Sequence, residues 1–341
     1  MTKIRLVHRD SLSCEAIVRE MPNGELLMVS QCGGTSEPSP QNRVYFWHSP
    51  DNGETWKPGG LLWPEDGRAV YQTEVSVEEG EVTVYITLHD GSFLNWECVM
   101  AKSSDCGHTW QNAGPPPCFP RYAFLRGKIR TSAGILLQAY QSYPVSEELD
   151  WLLRRQGTKI YKGTPLIPYN ENGVLRSADN GKSWQAYPAI RLPQSENLWH
   201  WGEPTVCELP DGTVAMLVRV NRDGRLWRSD SHNGGLTWCV PYRTEIPNPN
   251  NKVKLLRLPD GRTALLHTPA VRSMRLTDRY PLSVWISSDG MASWPYRRDL
   301  VDFPGAFSYP DGFCSKDGRH LRFAVEFNRH DIYYIDHEIE G

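Results

Sequence analysis

Carboxylates, guanidinium groups, imidazoles and a phenol recur at the ends of the apolar runs in this chain. Gathered in one place, they could act together on a small polar molecule. A first set of runs starts near Glu15, Glu74, Lys128, Glu203, Lys254 and Tyr309. The runs that follow end near Gln31, His89, Tyr140, Arg219, His267 and Glu326, and a third set begins at Arg43, Arg225 and Arg279. Acid, base and aromatic hydroxyl groups transfer protons or attack bonds, so their convergence would make a catalytic or binding site. Trp199 and Trp201 flank His200 just ahead of Glu203 and offer flat faces for a sugar ring.

Whether these groups meet depends on the elements that carry them, and a repeat sets those elements. The chain contains Ser49-Pro-Asp51-Asn-Gly53-Glu-Thr55-Trp56 and four relatives of it, ending at Trp110, Trp184, Trp238 and Trp294. The frame Ser-x-Asp-x-Gly-x-Thr/Ser-Trp is a turn stapled by an aromatic ring. Asp or Asn accepts backbone amides two or three residues on, Gly supplies a conformation that a side chain penalises, and Trp buries its ring. A supersecondary unit repeated five times implies an array fold, with the boxes as scaffold rather than site.

Around each box the order is strand, Gly turn, strand, strand, box, strand. Hairpins turn at Pro22-Asn23-Gly24, Glu79-Gly80, Ala133-Gly134, Pro210-Asp211-Gly212, Pro259-Asp260-Gly261 and Lys316-Asp317-Gly318. Six such units predict an all-β, six-bladed propeller of four-stranded antiparallel blades in one domain over 1–341. The sixth unit has no box and ends at Asp331–Ile335, so the spare strand Ile4–His8 is expected to complete it and close the ring. In that arrangement the starts of first strands and the ends of second strands share one face. Blade three carries an extra segment, Ser142 to Pro168 with Trp151 and Tyr161, expected as a rim or lid.

Composition narrows the function. A net charge of -3 gives no bias toward nucleic acid or an anionic membrane. No apolar run is long enough to cross a bilayer, and the amino terminus lacks the apolar core of a leader. The eight cysteines are scattered without Cys-x-x-Cys, which reads as reduced thiols in a cytoplasmic protein, or a secreted one if a leader has been removed. Thirteen tryptophans and 15 tyrosines suit strands and sugar stacking. No metal, nucleotide or other cofactor is expected, and the partner expected is a glycan or small sugar, with the oligomeric state open.

The boxes and the stretch Trp201-Gly-Glu203-Pro-Thr-Val-Cys through Arg219 resemble the sialidase superfamily of Asp-box (BNR-repeat) propellers along essentially the whole chain. The resemblance implies an exo-glycoside hydrolase that removes a terminal anionic sugar with retention. It makes Tyr309 the nucleophile, Glu203 the base that activates it, Arg219 and Arg279 two of three arginines on the substrate carboxylate, and Glu326 the acid that steadies them. A phenol ionises at about pH 10 and needs a neighbouring carboxylate to lose its proton. Such enzymes are the exception to two-carboxylate glycoside hydrolysis.

The departures are specific. Where the family has its first arginine, this chain reads Leu12-Ser13-Cys14-Glu15-Ala16-Ile17, with Arg43 the candidate substitute from a neighbouring strand. The loop expected to hold the acid/base Asp, Gln31 to Glu37, offers only Glu37, and His89 and Asp90 are alternative proton donors. Glu74 and His267 complete the set of substrate-binding candidates. A hydrolase or lyase acting on another polysaccharide, or a non-catalytic glycan-binding propeller, stays open.

Overall fold

The computed structural model describes all residues except 94, 119–121, 158–165, 196–197, 274, 276 and 340–341. Six antiparallel sheets surround one axis. Blade one comprises Ser13–Glu20, Leu26–Cys32, Arg43–Ser49 and Lys57–Leu61, and blade two Ala69–Glu78, Glu81–His89, Glu97–Ser103 and Gln111–Asn112. Blade three comprises Ala123–Arg130, Leu136–Ser142, Tyr169–Ser177 and Gln185–Pro193. Blade four comprises Thr205–Glu208, Val214–Arg219, Arg225–Ser231 and Tyr242–Pro247, and blade five Lys254–Arg257, Thr263–His267, Leu282–Ser287 and Tyr296–Val301. Blade six comprises Gly305–Cys314, His320–Phe327 and Asp331–Glu338, with the amino-terminal strand Thr2–Arg9 paired outside them. The first strands contact one another in sequence around the ring, and blade six meets blade one. The expected propeller and its closure by the amino-terminal strand are what the structure has.

The boxes are built as self-contained turns. Asp51 Oδ1 accepts the amide four residues on, from Thr55, at 2.8 Å, and its second oxygen takes the Thr55 hydroxyl at 2.6 Å, while Asp105 Oδ1 also accepts the expected amide three residues on, from His108, at 3.1 Å. Serine makes a second bond of the same span: Ser49 Oγ accepts the Gly53 amide at 2.7 Å, Ser103, Ser177 and Ser231 accept their box glycine amides at 2.8–2.9 Å, and Ser287 accepts the Met291 amide at 2.9 Å. Trp56, Trp184 and Trp238 donate to the carbonyl of their own box glycine at 3.1–3.2 Å. Apolar clusters then fill the space between neighbouring blades, such as Val29, Phe46, Val75, Val84 and Ile86 between blades one and two.

Three first strands begin four or five residues before the point where the sequence reading placed them. Blade two starts at Ala69 rather than Glu74, blade three at Ala123 rather than Gly127, and blade six at Gly305 rather than Tyr309. The blade-three insertion contains a helix, Glu147–Gln156, capped by Ser146 Oγ on the Leu149 amide at 3.1 Å and ended by Gly157 at φ 62°. Leu153 of this helix packs with Tyr122, Phe124 and Trp96, so the insertion backs the aromatic wall of the cavity described below. Trp151 is exposed, and Tyr161 lies outside the described residues.

Candidate active site

The two ends of the axis differ. The amino-terminal ends of the first strands open on a cavity of about 230 Å³ lined by Glu15, Tyr71, Phe124, Arg126, Glu203 and Tyr309, among others. The carboxyl-terminal ends of the same strands line a wider cavity of about 750 Å³. Local backbone distortion aims the narrower set. Glu15, Glu203 and Tyr309 have φ of 51°, 52° and 57°, the left-handed region that disfavours side chains. Strand register shifts at Cys14/Ile17, Leu125/Lys128 and Ser308/Asp311, so bulges turn Glu15, Arg126 and Tyr309 toward the axis.

One group of side chains comes from blades four, five and six. Arg219 Nε lies 3.0 Å from Glu203 Oε2, out of line for a hydrogen bond, and its Nη1 donates to Tyr309 Oη at 3.2 Å. Burial raises the Tyr309 phenol far above its usual range, against the opposing pull of the Arg219 charge. Arg279 arrives on a short strand, Asp278–Arg279, that pairs in parallel with Gly305–Ala306 of blade six. Its guanidinium donates to Ser308 Oγ at 2.9 Å and to the Asn250 carbonyl, and among the described residues it has no carboxylate within 4.0 Å. Burial lowers it to about 10, the direction expected of a cation short of counter-charge.

A second group comes from blades one, two and three. Tyr71 donates its hydroxyl proton to Glu15 Oε1, and Arg126 Nη1 reaches Glu15 Oε2 at 2.9 Å. Arg126 also lies 3.5 Å from Glu203 Oε1, which joins the two groups. The Arg126 and Lys252 charges and the Tyr71 hydrogen bond outweigh burial and hold the Glu15 carboxyl below its usual range. Phe93, Phe124, Trp201 and Pro38 supply an apolar wall beside these charges.

Glu37 and Arg329 close the rim as an ion pair, Arg329 Nη2 donating to Glu37 Oε2. Burial raises the Glu37 carboxyl above the ordinary range despite Arg329. Behind them, Glu326 Oε2 accepts the Glu15 amide at 2.8 Å, and burial pushes its carboxyl up to about 7.

Of the residues singled out from sequence, Glu15, Glu203, Arg219, Arg279, Tyr309, Glu37 and Trp201 line one cavity, with Glu326 directly beneath. The others are placed elsewhere. Arg43 donates to the Pro40 and Asn42 carbonyls at 2.8 Å, so it fixes a loop and does not replace a missing arginine in the cavity. His89 Nδ1 accepts the Gly91 amide at 3.0 Å, and burial lowers its imidazole to about 4. It shapes the turn that delivers Phe93. Asp90 is exposed and caps the same turn through Ser92. Glu74 lies deeper on the axis, in a ladder with Arg19, Lys254 and Asp311. His267 is buried edge-on against Trp285, with its imidazole lowered by burial to about 3. Trp199 is stacked on Tyr143 at 4.7 Å and does not line the cavity.

Tyr71, Arg126 and Arg329 were missed. The first two lie ahead of the strand starts read from sequence, and Arg126 ends the apolar run Ala123-Phe-Leu, a signal that a charge was entering the core. Arg329 sits in a turn at φ 60°, where nothing in the sequence marks burial.

The fold is a six-bladed propeller with repeated Asp boxes, a fold it shares with sialidases of known structure. The family model described as BNR repeat-like domain matches residues 169–321. A Hadza microbial sialidase, Hz136, superposes with a TM-score of 0.73 at 18% identity, over 98% of this chain and 68% of that one. A Dyadobacter fermentans protein of unknown function superposes at 0.71 with 19% identity, over 99% of both chains. Trypanosoma rangeli sialidase in complex with the inhibitor DANA gives 0.68 at 14% identity, over 97% of this chain but only 55% of that one. At these identities the likeness is one of fold. A search of curated proteins returns no match. Among the described residues no helix is long and apolar enough to cross a membrane.

Proposed function

We propose that this protein is a retaining exo-glycoside hydrolase that removes a terminal sugar bearing a carboxylate. The observation that carries the reading is Arg279, a buried guanidinium with no carboxylate partner beside Arg219 and the Tyr309 ring. Such a cation favours an anion delivered by the ligand, held by the guanidinium fork. Glu15 does not counter this, because Arg126, Tyr71 and Lys252 already engage its charge. The cavity of about 230 Å³ is smaller than the roughly 300–1,000 Å³ of sites for drug-sized ligands, which suits one terminal sugar.

In this reading Tyr309 Oη attacks the anomeric carbon and its proton passes to Glu203. Glu37 enters this step in its protonated form, which burial favours and the Arg329 charge opposes, and gives its proton to the leaving oxygen as that bond breaks. Water then attacks the tyrosyl sugar, Glu37 takes the water proton, and Glu203 returns a proton to Tyr309. A neutral phenol as nucleophile avoids repulsion by the anionic sugar. Turnover of a panel of aryl glycosides that includes the sialic acid derivative tests this. Activity that survives both Tyr309→Phe and Glu203→Gln rejects it, and glycan binding without turnover by the wild type makes the protein a lectin-like propeller.

The direct Tyr71–Glu15 hydrogen bond favours a second reading, a polysaccharide lyase. There the phenolate of Tyr71, its own proton held by Glu15, would take the proton beside a uronate carboxylate neutralised by arginine, the bond from the next carbon to the leaving oxygen would break as the double bond forms, and Tyr71 would pass the proton it gained to that oxygen. A product with a new ultraviolet-absorbing double bond, lost in Tyr71→Phe and kept in Tyr309→Phe, would select it.

A further inference from the structure

On the face opposite the cavity, where the hairpin turns and boxes lie, Glu25, His48 and His108 come together from three parts of the chain. Glu25 follows the first hairpin turn of blade one, His48 is the penultimate residue of that blade's third strand, and His108 belongs to the box of blade two. One ligand atom from each lies within 4.8 Å of the other two. Glu25 Oε2 is 3.2 Å from His108 Nε2 and 3.9 Å from His48 Nδ1. Ligands around a tetrahedral zinc ion with bonds of about 2.0 Å stand about 3.3 Å apart, so the three atoms must draw together and the two stacked rings must turn until their lone pairs converge.

His48 carries the argument. Its Nε2 lies 3.2 Å from the Gly107 carbonyl. A carbonyl only accepts, so Nε2 holds the ring proton and Nδ1 presents a lone pair. That Nδ1 is buried and has no hydrogen-bond partner, and the side chain is only 9% exposed. A backbone carbonyl on the far nitrogen is the support that metal-bound imidazoles use. Glu25 is oriented too, since Asn23 Nδ2 donates to its Oε2 at 3.0 Å. The His48 and His108 rings are stacked at 4.1 Å, and the half-exposed His108 leaves the fourth position open to water.

We propose that Glu25, His48 and His108 bind one zinc ion that staples blade one to blade two. Borderline-soft imidazole nitrogens with one carboxylate select zinc over magnesium or calcium. Because its ligands belong to adjacent blades, the bound ion stabilises the closed interface and takes no part in the chemistry at the cavity.

The test uses the full chain stripped with a chelator and titrated with zinc sulfate. One zinc per chain should bind, and the thermal midpoint should rise with free zinc. His108→Ala and Glu25→Gln alter exposed or half-buried groups and should leave the metal-free midpoint unchanged. Each should weaken zinc binding by more than the roughly 10–100-fold that an outer-shell partner costs. Cobalt should give the intense visible bands of a four-coordinate site in the wild type and lose them in His108→Ala. No zinc uptake, or uptake with the same affinity in both variants, would overturn the proposal and leave Glu25–His108 as a plain ion pair.

Discussion

Two tyrosines enter the same cavity from blades on either side of blade one, and their hydroxyls are committed differently. Tyr71 gives its proton to Glu15, and Arg126 completes that carboxylate. Tyr309 instead accepts from Arg219 and makes no hydrogen bond to a carboxylate among the described residues, and Arg279 beside it has no carboxylate within 4.0 Å there. Both sets are buried and both contain tyrosine, glutamate and arginine. One is satisfied within the protein and the other is incomplete. An incomplete buried set costs stability unless a ligand completes it, and that is the physical mark of a site.

The largest separation between the two should be in turnover. Tyr309→Phe should lower kcat by on the order of 10³-fold or more, as loss of a nucleophile does, whereas Tyr71→Phe should cost about tenfold or less. Steady-state kinetics on the preferred aryl glycoside would measure both, and equal losses would erase the distinction.

Stability should separate them in the opposite sense. Arg126→Met strips Glu15 and Glu203 of a shared cation and should destabilise by about 3–5 kcal/mol in denaturant unfolding. Arg279→Met removes a desolvated cation that has no carboxylate partner, so it should be neutral or stabilising while abolishing carboxylate recognition.

Glu326, under both sets, sharpens the comparison through pH. Burial raises its carboxyl from 4.5 to about 7 in the folded chain. Between those values the folded state keeps a proton that the unfolded state has released. Its contribution is therefore full below about pH 4.5 and lost as pH rises through 7. The loss is about 3 kcal/mol, and Glu326→Gln should flatten it. Stability curves of the two proteins across this window would show the difference.

The smallest effect belongs to the boxes, whose Asp and Ser side chains are engaged locally. Asp51→Ala should lower the thermal midpoint by about 2 °C and leave turnover unchanged. A loss of activity there would mean that the far face reaches the cavity.

Much of the site was legible because residue types at strand ends are local facts. Glu203 and Arg219 sit where the hairpin rhythm places a strand end, and the rhythm itself needs only Gly turns and boxes; Tyr309 was marked by the resemblance and lies inside a strand that begins at Gly305. Tyr71 and Arg126 were not legible, because the bulges at Gln72/Glu74 and Leu125/Lys128 let the strands begin four or five residues early. A bulge has no periodic signature in sequence.

By itself the sequence determined the six blades, the closing strand and the chemical types available at the axis, since turn chemistry and alternation act over a few residues. Tertiary structure alone decided which charges are matched. Glu15 meets Arg126 and Tyr71, and Glu37 meets Arg329 across 292 positions of chain. Pairing of that kind depends on distance across the axis and on burial, and neither is written in any local pattern.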